Sequence, residues 1–232
     1  MFLVMKKIVV LSVACIFAGS VFAQTQTEEK PPQEGTPSAA IAGIRLANDL
    51  VKYGYAHNEA LPLIQAAEIL LSTPTQESKV TKSDEGNKPE TVEKKTTGVS
   101  HSPKVLLADA KELAAGNESL LAVIKNAESK LGQASRGRVG GQGYKESRLY
   151  ANSYELFQAK FWEGDLAEIL VVGDGDTDLD LYVYDQNGNL IASDTDYTDD
   201  CYVRWVPKWT GVYTLKIINR GRVYNDYELV TN

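Results

Sequence analysis

The sequence predicts an α+β protein in two parts: a small N-terminal α-helical unit of helical hairpins, then a C-terminal antiparallel β-sandwich. Three observations predict it. Apolar residues recur at helical spacing between residues 38 and 132. From residue 150 onward the apolar period drops to two. The turns between those alternating runs are rich in Asp, Asn and Gly, which suits many short antiparallel strands.

Residues 1–23 read as a secretory signal peptide. Lys6 and Lys7 precede an apolar run over residues 8–17, and small residues fill the positions before Gln24 that a signal peptidase reads. The run is shorter than the roughly 18–20 residues of a membrane span. The chain is therefore expected to be exported, periplasmic or extracellular, with no membrane span. Cys15 raises a lipoprotein alternative. Ser12 stands where such a signal prefers leucine, and the residues after Cys15 stay apolar, so that alternative is set aside.

Without residues 1–23 the chain keeps 22 basic and 31 acidic residues, a net charge of −9. That acidity argues against nucleic acid and anionic membrane as partners. The remaining cysteine, Cys201, cannot form a disulfide within the chain. Beside Asp199 and Asp200 it reads as a small buried hydrophobe, since a reactive thiol needs a basic neighbour.

Residues 24–37 are polar and proline-rich, a flexible lead-in. The helical unit spans 38–132. Ile41, Ile44, Ala47 and Val51 form the stripe of a first helix, with Gly54 as its expected end. Asn58 is expected to cap a second helix carrying Leu61, Ile64, Ala67 and Leu70, with Pro62 in its first turn. Residues 73–101 hold almost no large apolar side chain and read as a disordered loop. Ser102 and Pro103 open a third helix with Leu106, Leu107, Ala110 and Leu113. Asn117 caps a fourth with Leu120, Ile124, Ala127 and Leu131. Residues 133–149 form a Gly-rich linker whose spacing fits no phosphate-binding loop.

The sandwich spans 150–232. Strands are expected over 149–159, 167–173, 179–185, 190–193, 201–206, 211–219 and 225–231. Asn187-Gly188 marks a hairpin.

The candidate chemistry lies at the start of the third of these strands. Asp174, Asp176, Asp178 and Asp180 alternate toward Leu179, Leu181 and Val183, and lead into Tyr182 and Tyr184. On a strand this gives one apolar face and one row of carboxylates. Asp194, Asp196, Asp199 and Asp200 form a second cluster that could face the first. Calcium takes six to eight oxygen ligands, so Asp174, Asp176, Asp178, Asp180, Asp194 and Asp196 are its candidate ligands. The spacing is not an EF-hand, because Leu179 stands where that loop needs glycine. The competing reading makes the same acids turn caps and edge protection. Tyr182 and Trp209 are the candidate ligand-binding aromatics; Trp205 and Tyr213 are assigned to the core.

Catalysis is not expected. The sandwich has no histidine, and His57 and His101 fall in an inter-helix turn and the polar loop. A row of acids beside a turn lacks the cleft that an acidic hydrolase site uses.

Residues 150–232 resemble the bacterial pre-peptidase C-terminal domain. The resemblance rests on the run from Gly173 to Val183, then Asn187-Gly188-Asn189-Leu190-Ile191, then Val203 to Ile217 around Trp205, Trp209 and Gly211, and the final Asn225-Asp226-Tyr227-Glu228-Leu229. It implies a small jelly-roll-like sandwich appended to exported proteins, non-catalytic, binding calcium in some relatives and collagen or other polymers in others. No protease domain precedes it here. The function expected is thus an exported, non-enzymatic binding or assembly protein with a protein partner. The alternative is a module for extracellular carbohydrate or polymer, and the third reading is a hydrolase with an acidic site.

Overall fold

The computed structural model describes residues 35–73, 75–86, 102–134 and 142–232. The expected signal peptide, Pro74 and His101 lie outside them. Four helices are present: α1 Ala39–His57, α2 Ala60–Ser72, α3 Pro103–Leu113 and α4 Glu118–Ala134. Ten strands accompany them: β1 Thr75–Glu77, β2 Thr81–Glu85, β3 Gln142–Leu149, β4 Tyr154–Phe161, β5 Ala167–Val172, β6 Leu179–Tyr184, β7 Leu190–Asp194, β8 Asp200–Trp205, β9 Gly211–Asn219 and β10 Asn225–Thr231.

The strands form two five-stranded sheets. Sheet A has the order β1-β3-β10-β5-β8 and sheet B the order β2-β4-β9-β6-β7. Every pair is antiparallel except β1 with β3. The expected alternation holds on β9, where Tyr213, Leu215 and Ile217 are buried and Thr214, Lys216 and Ile218 are half-buried. Those inward residues meet Phe157, Trp205 and Tyr227 in one core. The hairpin at Asn187-Gly188 is present, with Gly188 at φ +80° and Asp185 Oδ1 accepting from the Asn187 and Asn189 amides at 2.8 and 2.9 Å.

The helical unit has its own core, in which Leu63 and Ile64 of α2 meet Val51, Leu106, Leu107 and Ile124. A third apolar cluster joins the two parts. Ile41 and Ile44 of α1 pack against Leu170, Val172 and Val230 on the outer face of sheet A. Helix α1 therefore serves two cores: its first two turns sit on the sheet, and Ala47 and Val51 face the helices.

Several expectations need correction. Leu61 and Leu113, expected on the apolar stripes of the second and third helices, are 48% and 39% exposed, and Leu63 takes the core position on α2. Helix α1 runs past Gly54, which is buried within it because an added Cβ would stand 2.6 Å from Leu63 Cδ2. Asn58 ends α1 in the left-handed region at φ 54° rather than capping α2. The supposed disordered loop 73–101 contributes β1 and β2, the edge strands of both sheets; main-chain pairing there replaces the apolar burial that its composition lacks. The supposed linker 133–149 contributes β3, paired along its length with β10. The single strand expected over 149–159 is interrupted at residues 150–153, with Asn152 at φ +50°: Leu149 ends β3 in sheet A, and β4 begins at Tyr154 in sheet B. Within the lead-in, Thr36 is held, its carbonyl accepting from Arg204 Nη1 at 2.8 Å. No helix among the described residues is long and apolar enough to cross a membrane.

Candidate functional site

The acidic row is not one strand. β6 begins at Leu179, so Asp174, Asp176 and Asp178 lie in the loop that precedes it, with Gly175 at φ +88°. Only Asp180, Tyr182 and Tyr184 keep the period of two on β6. The two acidic clusters do meet, at Asp199. The Gly173 amide donates to the Asp199 carbonyl at 3.0 Å. The Gly175 amide donates to Asp199 Oδ2, and Asn225 Nδ2 reaches the same oxygen at 3.2 Å.

Positive partners come from the chain itself. Lys52 Nζ on α1 lies 3.2 Å from Asp199 Oδ1 and 2.6 Å from Asp200 Oδ2, and Asn48 Nδ2 donates to Asp200 Oδ2 at 2.9 Å. Burial pulls the Lys52 pKa down, but Asp200 and Asp199 outweigh it and hold the ammonium above its usual value. For Asp200 burial wins instead, pushing its carboxyl up despite Lys52. At the far end of the row Arg220 Nε donates to Asp180 Oδ2 at 2.6 Å, and the Arg220 amide donates to the Asp178 carbonyl at 2.9 Å. Asp174 Oδ2 accepts from the Asp226 amide at 3.0 Å. Asp194 Oδ2 accepts from the Tyr202 amide at 2.8 Å, and Asp196 Oδ1 from the Thr198 amide at 2.8 Å. Asp178 Oδ1 is buried without a hydrogen-bond donor. Burial, then the charge of Asp180, raises the Asp178 pKa.

Among the described residues no group of three or more His, Cys, Asp or Glu is arranged to hold a metal ion. Of the candidate ligands, Asp174, Asp176 and Asp178 lie in the loop before β6, Asp180 in β6, Asp194 at the end of β7 and Asp196 in the loop that follows. Of these six, Asp180 pairs with Arg220, and Asp174, Asp194 and Asp196 accept from backbone amides, while Lys52 pairs with Asp199 and Asp200.

Tyr182 lies on the outer face of sheet B and Trp209 does not join it. Tyr182 pairs with Lys216 across β9. Trp209 sits instead in the bend before β9, its Cδ1 3.3 Å from where a Gly211 Cβ would stand. Five residues separate Gly211 from Lys216, about 16 Å along a strand. The face around Tyr182 contains residues that the sequence reading left out. Tyr184 stacks beside Tyr182 with ring centroids 6.4 Å apart and planes at 16°. Lys216 Nζ lies 5.3 Å from the Tyr154 ring centroid. Gln158 Nε2 donates to Thr214 Oγ1 at 3.0 Å. All of these side chains are half-buried and face outward. The signal was present in the alternation: Tyr154, Tyr182, Tyr184 and Lys216 are the off-core positions of three strands that pair with one another.

Groups that catalysis would need are used structurally. Cys201 Sγ donates to the Leu179 carbonyl at 3.0 Å, and burial, then nearby carboxylates, pushes its pKa well up. His57 stacks on Tyr53 with ring centroids 4.0 Å apart.

No family model matches the chain, and no curated protein matches it. Among solved structures it is similar to the pre-peptidase C-terminal domain of a collagenase from Bacillus anthracis, at 13% identity and a TM-score of 0.32, over 40% of this chain and 91% of that one. It is also similar to the Yersinia pseudotuberculosis-derived mitogen, at 14% identity and a TM-score of 0.32, over 40% of this chain and 86% of that one. A third likeness is to an endo-1,4-beta-D-xylanase of Clostridium thermocellum complexed with xylohexaose, at 14% identity and a TM-score of 0.25. It covers 38% of this chain and 24% of that one. The family resembled by residues 150–232 is therefore represented among these neighbours. Likeness at this level transfers neither ligand nor activity.

Proposed function

We propose that the protein is a non-enzymatic binding or assembly protein that works outside the cytoplasm and meets a partner protein through the outer face of sheet B. One observation carries this reading. On the outer face of sheet A, Leu170, Val172 and Val230 are covered by α1, whereas the central strands of sheet B present Tyr154, Tyr182, Tyr184 and Lys216 half-exposed among the described residues. Tyrosine joins a large apolar body to a hydroxyl and suits protein contacts. Export rests on the expected signal peptide and is tested by N-terminal sequencing of the secreted or periplasmic protein. A start at Gln24 supports it, and retention of residues 1–23 in the cytoplasm removes it.

The Tyr182–Tyr184 ring pair favours a second reading, in which an extracellular carbohydrate or polymer lies on the same face. Sedimentation with insoluble polysaccharide decides between them, run beside photo-cross-linking from residue 184. Co-sedimentation lost in Tyr182→Ala/Tyr184→Ala selects the polymer. A discrete cross-linked protein, with no sedimentation, selects the protein partner. Neither signal removes sheet B as the contact surface.

A further inference from the structure

A cavity of about 400 Å³ opens at one edge of the sandwich, where the chain passes from β1 to β2. Topology creates it. β1 is the edge of sheet A and β2 the edge of sheet B, so residues 78–80 must cross between the sheets. β2 accompanies β4 only as far as Thr81 opposite Gln158. Beyond that point residues 159–161 of β4 have no neighbour on that side among the described strands. Ala159 faces inward there and is too small to fill the space between the sheets. Val80 and Phe161 supply an apolar floor, and Trp162 stands at the rim, 53% exposed.

The charge around this cavity is unlike that of the chain. Among the described side chains that line it, the charged ones are Lys79 and Lys160, in a chain of net charge −7. Lys160 Nζ lies 5.7 Å from the Trp162 ring centroid. Asp165 belongs to a smaller adjoining hollow of about 120 Å³. Ligand cavities run from about 300 to 1,000 Å³, so the space suits a small molecule. A neutral sugar would leave both ammonium groups without a counter-charge and would find an apolar floor under its hydroxyls.

We propose that this cavity, separate from the sheet B face, binds a small carboxylate with an aromatic or alkyl body. The carboxylate pairs with Lys79 and Lys160. The body lies over Ala159, against Phe161 and the Trp162 ring. The carboxylate belongs either to a free acid or to the terminal residue of a peptide.

The test is a titration of the ¹⁵N-labelled protein with 3-phenylpropionate, with 3-phenylpropionamide, and with a short peptide ending in phenylalanine. The chain has three tryptophans, and Trp162→Phe assigns the Trp162 indole signal. The expected result is a saturable Trp162 shift with the acid and at least tenfold weaker binding of the amide. Ala159→Leu should abolish the shift with melting temperature unchanged or raised. Lys79→Ala/Lys160→Ala, a surface change, should weaken acid binding at least tenfold should Ala159→Leu fail to fold. Tighter binding of the peptide than of the free acid assigns the carboxylate to a chain end, and the reverse assigns it to a free acid. Absence of a saturable shift with both acid and peptide, equal binding of acid and amide, or a shift that survives the lysine changes overturns the proposal.

Discussion

The two outer faces of the sandwich are built from the same alternation and end in opposite states. On sheet A, β5 is buried at all six positions, because Leu170 and Val172 meet Ile41 and Ile44 of α1. On sheet B, the outward positions of β9 stay half-buried or exposed. The difference teaches that a period of two reports a strand, and the residue type at the off-core positions reports what lies beyond it. Ala167-Glu168-Ile169-Leu170-Val171-Val172 is nearly continuous in apolar character, the pattern of a strand covered on both faces. Tyr182, Tyr184 and Lys216 are the pattern of a strand that ends at water.

Four changes would sharpen or break this contrast. The largest effect is expected at the covered face: Ile44→Ala should lower unfolding free energy by about 2–5 kcal/mol, whereas Ile218→Ala on the open face should cost less than about 1 kcal/mol. Urea denaturation measures both, and equal losses would mean that α1 does not cover sheet A in solution.

The second effect concerns charge on the covered face. Glu228 faces outward from β10 beneath the cover and accepts from Tyr144 Oη at 2.6 Å, while Tyr144 also reaches Glu146 at 2.8 Å. Burial, then the Glu146 charge, raises the Glu228 pKa from 4.5 to about 7, against the opposing Tyr144 hydrogen bond. A raised acid pKa means that the folded state holds the proton more tightly. Stability from this group is therefore fully present below pH 4.5 and is lost as pH rises to about 7. Glu228→Gln should remove that fall, a relative gain on the order of 3 kcal/mol at pH 8. Parallel pH profiles of wild type and variant would refute the buried charge.

The third effect is at Lys52, whose ammonium ties α1 to β8. Lys52→Met should cost about 1–2 kcal/mol, reduced from a fully buried pair because its side chain is 31% exposed. A double-mutant cycle with Asp200→Asn should show the two changes to be coupled, and strict additivity would exclude the pair. The smallest effect is expected from calcium. Millimolar calcium or EDTA should move the wild-type melting temperature by less than about 1 °C, since binding only the folded state is what raises it. A rise of several degrees, lost in Asp178→Ala, would establish the acidic loop as a cation site.

Much of this contrast was legible in the residues. The stripe of α1 and the inward residues of β6, β8 and β9 follow from spacing alone, because period and burial share one geometry, whereas in α2 and α3 the stripe is only partly right: Leu61 and Leu113 are exposed and Leu63 is buried. β1, β2 and β3 were not legible. Their sequences carry little apolar signal, and pairing at a sheet edge is decided by the neighbouring strand. The site was half legible. Asp180 and Tyr182 lie where alternation puts them, but the partners of the acids come from distant segments. Lys52 and Arg220 carry no local mark as counter-ions, apart from Asn48 and Lys52 standing four residues apart on one helix face.

The order of the elements sets how this molecule can be divided. The chain passes from helices to strands, back to helices, and again to strands. One border of each sheet, β1 or β2, is therefore laid down by the segment between the two helical hairpins. A fragment of residues 150–232 would carry β4 and β10 with bare flanks, open to pairing with other chains. Cut at the place where its composition changes, the protein would lose its selvedge: the two parts are interwoven, and neither could be exchanged as a free-standing module.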